Sequence, residues 1–425
     1  MSPTFRSLHN RNYRLYATGG IVSNTGTWMQ RVAQDWLVVL LATNDGTALG
    51  ITTGLQFLPA LLLSPYAGLV ADRVPKLRLL KITQSVMALT ALLLGVLAVT
   101  GTVEVWHVYV LAFVFGVGSA FDAPARQSFV SEMVGPDDLS NAVGLNSASF
   151  NAARMAGPAA AGLLIALFGG GVTATGWVIV INGLSYGAVL LALRAMVSAD
   201  LHLSPREERH PGMIRDALRY LRGRPDLMLV LCTVGFAGTF GLNFQMTSAL
   251  MSTQVFDRGA TAYGLLGSIM AIGSLTGALM AARRTRIRLR LVVGAALAFG
   301  VVEIAAGLMP TYYAYAAIVP LLGFTALTMI TAANTTMQLA TAPHLRGRVM
   351  ALYLMVFMGG TPIGSPFIGW IGEQFGARWT LIAGGGLTIL GVLLAVAVFT
   401  RGQSLRHRVP VVREAAEPEP VGSTA

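Results

Sequence analysis

The chain has 425 residues, of which 54% are hydrophobic and only 12% charged, and it carries a formal net charge of +11. A typical soluble domain is roughly 25% charged, so this composition excludes a soluble enzyme, whose core has no use for so much apolar surface. A single cysteine, Cys232, and six scattered histidines without ligand spacing such as HxxxH exclude a disulfide framework and leave no metal or cofactor to be expected.

At the start, Arg6, Arg11 and Arg14 precede a long apolar run with no small-residue cleavage site, which reads as a retained cytoplasmic end. Apolar stretches long enough to cross ~30 Å of hydrocarbon then recur at 15–42, 48–71, 79–100, 106–125, 140–168 and 173–195. A polar segment, Ser198 to Arg224, follows with Arg206, Glu207, Glu208, Arg209, Arg215, Asp216 and Arg219. Within it Ile214, Leu218 and Leu221 recur at helical spacing beside Arg215, Arg219 and Arg222, the pattern of an amphipathic helix at the cytoplasmic membrane surface. Six further apolar stretches lie at 227–252, 260–282, 290–309, 312–336, 346–371 and 377–400. The expected fold is an all-α membrane protein with twelve transmembrane helices in two pseudo-symmetric six-helix bundles. Its domains are an N-terminal bundle (1–195), a cytoplasmic linker with the amphipathic helix (196–225), a C-terminal bundle (226–400) and a disordered cytoplasmic tail (401–425).

Orientation follows from lysine and arginine, which cytoplasmic loops retain. Arg73, Lys76, Arg78, Lys81, Arg283, Arg284, Arg286, Arg288, Arg290, Arg346, Arg348, Arg401, Arg406 and Arg408 all fall on the side shared with the N-terminus, whereas the opposite loops hold Arg258 and Arg378. Both termini are therefore expected in the cytoplasm and the protein in the cell membrane. The basic balance is spread over membrane loops, so no nucleic-acid partner is expected.

An internal repeat accompanies this layout. GLVADR at Gly68 to Arg73, ending the second helix, has a degraded echo in GALMAAR at Gly277 to Arg283, ending the eighth. The fifth helix carries Gly157, Pro158 and Gly162, and the eleventh Gly359, Gly360, Pro362 and Gly364. Paired halves around a central cavity are how many transporters alternate access.

The stretch GLVADRVPKLR from Gly68 resembles the loop motif between helices two and three of the major facilitator superfamily, with Pro75 where the family usually has glycine. GPAAAG at Gly157 to Gly162 is similar, in shortened form, to the fifth-helix motif of exporters in that superfamily. TWMQRVAQDWLV from Thr27, LQFLP from Leu55, FDAPARQSFV from Phe121 and NAARMAGP from Asn151 resemble the branch of enterobactin exporters and drug-efflux relatives. The resemblance spans most of residues 10 to 400 and implies proton-coupled export of a small molecule such as a siderophore, drug or secondary metabolite. The alternatives are an uncoupled facilitator or importer of the same fold, or a non-transporting membrane sensor. No HExxH or Walker A constellation points to an enzyme or an ATP-driven pump.

Physical readings stand beside these motifs. Gly68 lets helices approach, and Asp72, beside Arg73, can accept hydrogen bonds from a helix N-terminus or pair with Arg126, a latch that biases one conformational state. Gly157, Pro158 and Gly162 permit a bend and close packing, either as part of the gate or as ordinary small-residue packing.

Ionisable residues deep in the spans are the sharpest signal, since charge at the bilayer centre costs ~2.5 kcal/mol or more without a partner or water. Arg31 and Asp35 lie one turn apart on the first helix and can meet as a pair; Arg154 lies near the middle of the fifth; Glu303 lies within the ninth. In the arrangement the resemblance implies, helices one and five line the cavity and helix nine is peripheral. Asp35 is thus the candidate proton carrier, Arg31 and Arg154 either compete for Asp35 or hold an anionic or oxygen-rich cargo, and Glu303 is structural or interfacial. A static buried salt bridge is the alternative for the first three. Asn24, Gln30, Gln56, Asn243, Gln245 and Asn334 are candidate polar cargo contacts, and Trp28, Phe57 and Phe244 candidate apolar walls. Expected partners are the small-molecule cargo, protons and the lipid bilayer. An oligomer is not required, because the cavity lies within one chain.

Overall fold

The computed structural model describes residues 3–43, 45–202, 213–282, 289–342 and 345–400. The side chains of Asp72, Ile214 and Asp216, the loop residues Arg206, Glu207, Glu208, Arg209, Arg283, Arg284, Arg286 and Arg288, and the tail expected over 401–425 lie outside the described residues.

The first half consists of α1 (Arg11–Leu41), α2 (Gly46–Arg73), α3 (Lys76–Val99), α4 (Val105–Met133), α5 (Pro136–Leu167) and α6 (Val172–Ala195). Local chemistry sets their starts. Asn10 caps α1 by accepting from the Tyr13 amide, Asp45 caps α2 through the Ala48 amide, and α5 begins on Pro136, which lacks an N–H where none is needed. After α7 (Met213–Arg222) the seventh span runs through α8 (Pro225–Phe236), a π-helical segment Ala237–Gly241, α9 (Phe244–Leu250) and a second π-helical segment Met251–Val255. Then come α10 (Ala260–Ala282), α11 (Leu289–Gly307), α12 (Tyr312–Ala340), α13 (Arg346–Gly359), α14 (Thr361–Phe375) and α15 (Ala377–Phe399). The eleventh span is therefore two helices, divided at Gly360 just before Pro362, and Gly376 at φ +94° turns the chain into α15.

Among the described residues, eleven helical stretches are long and apolar enough to cross a membrane. The remaining span is α1, with 31 residues. It has the length but not the hydropathy, because Gln30, Arg31, Gln34 and Asp35 crowd its inward-facing second half. On the outside, large apolar side chains such as Leu93, Leu163, Leu184, Leu191, Leu390 and Leu394 are at least half exposed, as expected where the solvent is lipid rather than water.

Within the first half α1 packs on α5 and α6, α3 on α4 and α6, and α2 on α4; in the second, α10 packs on α12, and α11 on α12 and α15. The amphipathic linker helix forms as α7, but its buried face is Ala217 and Leu221, packed on α8 and α13, while Leu218 is 41% exposed. The protein, not only the membrane surface, holds that helix.

The two halves touch through α2 against α14 and α5 against α10. These contacts cluster at one end, here called the far end, where α1 finishes and α2 starts. Gly46 and Gly50 lie against Gly369 and Ser365, and Gly162 lies against Ala260 and Thr261. Toward the near end, where α1 starts, α2 still meets α13, with Leu61 against Gly359, and among the described residues no other pair of near-end elements packs closely across the halves.

Candidate functional site

Between the halves lies a cavity of about 420 Å³. Its near-end mouth is marked by Phe150 and Met358, which line it and are 45% and 39% exposed. Trp28 and Arg31 enter it from α1, Phe57 from α2, Arg154 and Pro158 from α5, Phe244 and Gln245 from α9, and Glu303 from α11. Six of the expected cargo contacts, Arg31, Arg154, Trp28, Phe57, Phe244 and Gln245, therefore come together.

The other polar candidates do not line it. Gln30 accepts from Asn182, and Gln56 Oε1 accepts from Gln34 Nε2 at 3.0 Å. Asn243 Nδ2 donates to the carbonyls of Thr239 and Phe240, both at 3.1 Å, and its Oδ1 accepts from Ser365 Oγ at 2.6 Å. That side chain satisfies carbonyls freed where the α-helical ladder gives way to the π segment. Asn334 accepts from Gln338 one turn on, and Asn24 is half-buried outside the lining.

Arg31 and Asp35 do not form the expected ion pair. Helical side chains lean toward the N-terminus, so the long Arg31 reaches back: its guanidinium carbon lies 4.7 Å from the Trp28 ring centroid and 5.7 Å from that of Phe57. Arg154 approaches the same indole at 5.6 Å. Two guanidinium groups thus share one indole, which stands edge-on to Phe150 at 5.7 Å. Each cation–π contact is worth up to ~2 kcal/mol when desolvated, well short of what an anion would supply. The ion pairs among the described residues lie elsewhere, and Arg31 Nε is buried without a hydrogen-bond acceptor. This wall of the cavity therefore carries two guanidinium groups that form no ion pair among the described residues.

Asp35 is buried, 7% exposed, and accepts a hydrogen bond from Tyr263 of α10 at 2.8 Å; the Tyr263 ring stacks on Trp36. This bond crosses between the halves at the far end, and others reinforce it. Thr261 Oγ1 donates to the Gly162 carbonyl at 3.2 Å, and Thr47 donates to Glu373. Ser268 Oγ donates to the Met155 carbonyl at 2.5 Å and accepts from the Ala159 amide at 3.1 Å. A regular helix pairs those two backbone groups directly, so the hydroxyl of α10 is inserted into the α5 ladder beside Pro158, a known cause of bending. Gly157 packs instead on Trp28 within the same half.

At the near end, Arg126, the expected partner of Asp72, has an acid on its own helix. Arg126 Nε donates to Asp122 Oδ2 at 3.0 Å, and Asp122 also accepts from Thr83 at 2.8 Å and Gln84 at 2.7 Å. Arg126 is therefore engaged on its own helix one turn away, and the Asp72 side chain lies outside the described residues. The start of α3 is joined to α4 by Lys76 with Glu132, both largely buried. Gly68 is half-buried and Arg73 exposed at the end of α2.

Tyr263 and Ser268 carry no signal in a single sequence, since hydroxyl residues in an apolar helix suit many neighbours. Glu303 did carry one, being an ionisable residue deep in a span, but the expectation that helix nine is peripheral set it aside. In the structure it is 2% exposed, lines the cavity, and its Oε2 has no hydrogen-bond partner.

Known proteins fit this architecture. A bacterial homologue of the human lysosomal transporter Spinster, solved in an inward-facing and occupied conformation, superposes with a TM-score of 0.71 at 17% identity, covering 92% of this chain and 97% of that one. In sequence, the chain is 28% identical over 397 residues to the multidrug efflux pump Tap of Mycolicibacterium fortuitum, covering 89% of this chain and 93% of that protein. It is 26% identical over 260 residues to the staphyloferrin A transporter of Staphylococcus aureus, a match that spans 60% of this chain and 63% of that relative. Residues 2–417 match the family described as transmembrane secretion effector. The chain belongs to that family of the major facilitator superfamily, and it is a multi-pass secondary transporter of small molecules rather than an enzyme.

Proposed function

We propose that the protein exports an anionic or oxygen-rich small molecule across the cell membrane in exchange for protons, with Asp35 as the proton carrier. The observation that carries this reading is the Asp35–Tyr263 hydrogen bond, a titratable clasp between the two halves. A hydrogen bond to a charged acceptor is roughly twice as strong as a neutral one. Tyr263 is in place when the far end is closed and withdraws when it opens. Closing therefore drives the proton off Asp35 toward the near end, and opening lets Asp35 take another from the far side.

Both termini face the cytoplasm in this reading, because the lysines and arginines flanking the spans gather at the near end. The cavity is then open inward, ready for cargo. Residues 1–195 and 226–400 rock about the cavity as two bodies within a monomer, and 196–225 ties them together. Arg31 and Arg154 hold the cargo, with Trp28, Phe57 and Phe244 as its apolar walls and Gln245 as a polar contact. The relatives named multidrug efflux pump Tap and staphyloferrin A transporter support transport of small molecules, the first of them by efflux.

The test is proton movement in proteoliposomes under an imposed pH gradient. Catecholate and polycarboxylate chelators are added in one series and lipophilic cations in another. Chelators are expected to move protons, and Arg154→Gln to weaken their apparent affinity at least roughly thirtyfold, as removal of a buried charge partner costs about 2 kcal/mol or more. Downhill chelator movement without protons would identify an uncoupled facilitator. Proton movement with lipophilic cations alone would overturn the anionic cargo class.

A further inference from the structure

Glu303 sits where the second half closes the cavity, and three observations converge on its carboxyl group. It is 2% exposed, its Oε2 has no hydrogen-bond partner, and it lines the cavity. The Thr388 hydroxyl of α15 is also buried without a partner, and both oxygens converge beside the Gly241 Cα: a Cβ there would lie 3.0 Å from Glu303 Oε2 and 2.9 Å from Thr388 Oγ1. On the other side Gly384 confines Oε1 in the same way, at 3.0 Å from its would-be Cβ. Gly241 closes the π-helical segment Ala237–Gly241, an irregularity that recurs at functional sites.

Among the described residues, no cation answers this carboxyl group. α11 packs against α8, α12, α15 and the π-helical segment. Among the titratable and charged groups on those elements, Tyr315 of α12 is within electrostatic reach, and its hydroxyl is bonded to Ser248 at 3.0 Å. Tyr312 and Tyr313 of α12 lie at the far end, Asp226 of α8 is held by Arg224 at the near end, and Cys232 of α8 is half-buried. Arg378 of α15 donates to the Gly307 and Met309 carbonyls at the helix end, and Arg290 of α11 lies more than three turns from Glu303. Arg31 and Arg154 face it only across the cavity. A bare carboxylate in such surroundings is untenable, and among the described residues no group of three or more His, Cys, Asp or Glu side chains is placed to hold a metal ion.

We propose that Glu303, with Thr388, in the slot kept open by Gly241 and Gly384, is a second proton-binding site of the transporter, on the opposite wall of the cavity from Asp35. It rests on the proton-coupled reading but belongs to the other half of the molecule. When the halves rock apart, the cavity beside Glu303 widens and supplies water to take the proton away.

Infrared difference spectroscopy of the purified protein in lipid, exchanged between acid and alkaline buffers, tests this without a known cargo. Beyond the bands of the exposed carboxyl groups, two C=O bands of buried protonated carboxyl groups are expected to appear on the acid side. One is lost in Asp35→Asn; the other is lost in Glu303→Gln and shifts when the protein carries ¹³C-glutamate. The isotope identifies the glutamate band in wild type even where Glu303→Gln fails to fold, and Thr388→Val, which keeps the carboxyl, moves its frequency. A glutamate band that is absent, that stays constant between the two buffers, or that ignores both Glu303→Gln and Thr388→Val overturns the proposal. Replacement of choline by sodium is expected to leave the band unchanged; its loss in sodium would make this a sodium site instead. A missing Asp35 band with the Glu303 band intact sinks the Asp35 assignment and leaves this one standing.

Discussion

Asp35→Asn is expected to abolish compound-driven proton movement in proteoliposomes while leaving the protein folded and its far end closed, whereas Tyr263→Phe is expected to do nearly the reverse. The contrast follows from what each change removes. Asn keeps an oxygen in the place of Asp35 Oδ2, so the Tyr263 hydroxyl still has an acceptor at 2.8 Å, but nothing remains to titrate. Phe keeps the ring that stacks on Trp36 and leaves the carboxyl group able to carry a proton, but the bond across the halves is gone. A hydrogen bond to a charged partner contributes about 2 kcal/mol, so Tyr263→Phe should shift the balance between far-end-closed and far-end-open forms by roughly thirtyfold. Electron–electron distance measurements between spin labels at Thr102 and Asp257, exposed on the two halves at the far end, in a Cys232→Ser background, read that shift directly. Unchanged distances in Tyr263→Phe would remove the clasp from the mechanism, and proton movement surviving in Asp35→Asn would remove Asp35.

Much of this architecture was legible in the chain because the bilayer leaves few choices. Apolar runs of the right length have to become helices, and the charge asymmetry of the loops sorts their ends. The same logic found the cavity wall: Arg31 and Arg154 are intolerable facing lipid, so they point inward, and Trp28 and Phe57 were found within their reach. The wiring among these groups was not legible. Whether Arg31 turns to Asp35 or to Trp28 depends on side-chain direction and on a competing donor, and that donor, Tyr263, lies 228 residues away on a helix whose pairing with α5 no local pattern announces. Arg126 likewise found its acid one turn away at Asp122, since Thr83 and Gln84 hold that carboxylate in place. Glu303 shows the cost of ranking residues by an expected helix position: α11 packs against the π-helical segment Ala237–Gly241 and carries Glu303 to the cavity edge. Asn243 illustrates the converse, a polar residue in an apolar span whose hydrogen bonds are used up by the carbonyls of that same break.

Gly50→Val is expected to leave the protein folded but unable to close its far end, with transport lost and the Thr102–Asp257 distances moved wholly to the open form. In the closed arrangement a Cβ at position 50 would lie 2.3 Å from the Ser365 carbonyl oxygen and 2.9 Å from the Pro366 Cα. Both are backbone atoms of α14, so no rotamer change can relieve the overlap, and α2 and α14 must move apart. Overpacking against a rigid neighbour costs about 3 kcal/mol, which converts to a population change above about a hundredfold. The same reasoning applies from the other side at Gly369, whose Cβ would meet the Gly46 carbonyl at 2.2 Å. Gly364 separates a gate from a fold. Its Cβ would lie 1.7 Å from the Thr239 carbonyl, a contact inside the second half that persists whichever end is open, so Gly364→Ala should lower the unfolding temperature rather than redistribute the two forms. Because Gly50 and Gly369 meet only when the halves close, substitution there strains one form and spares the other. If Gly50→Val instead loses thermal stability as Gly364→Ala does, with closed distances retained in the surviving protein, then the α2–α14 contact is a permanent part of the fold, and the far end does not open along it.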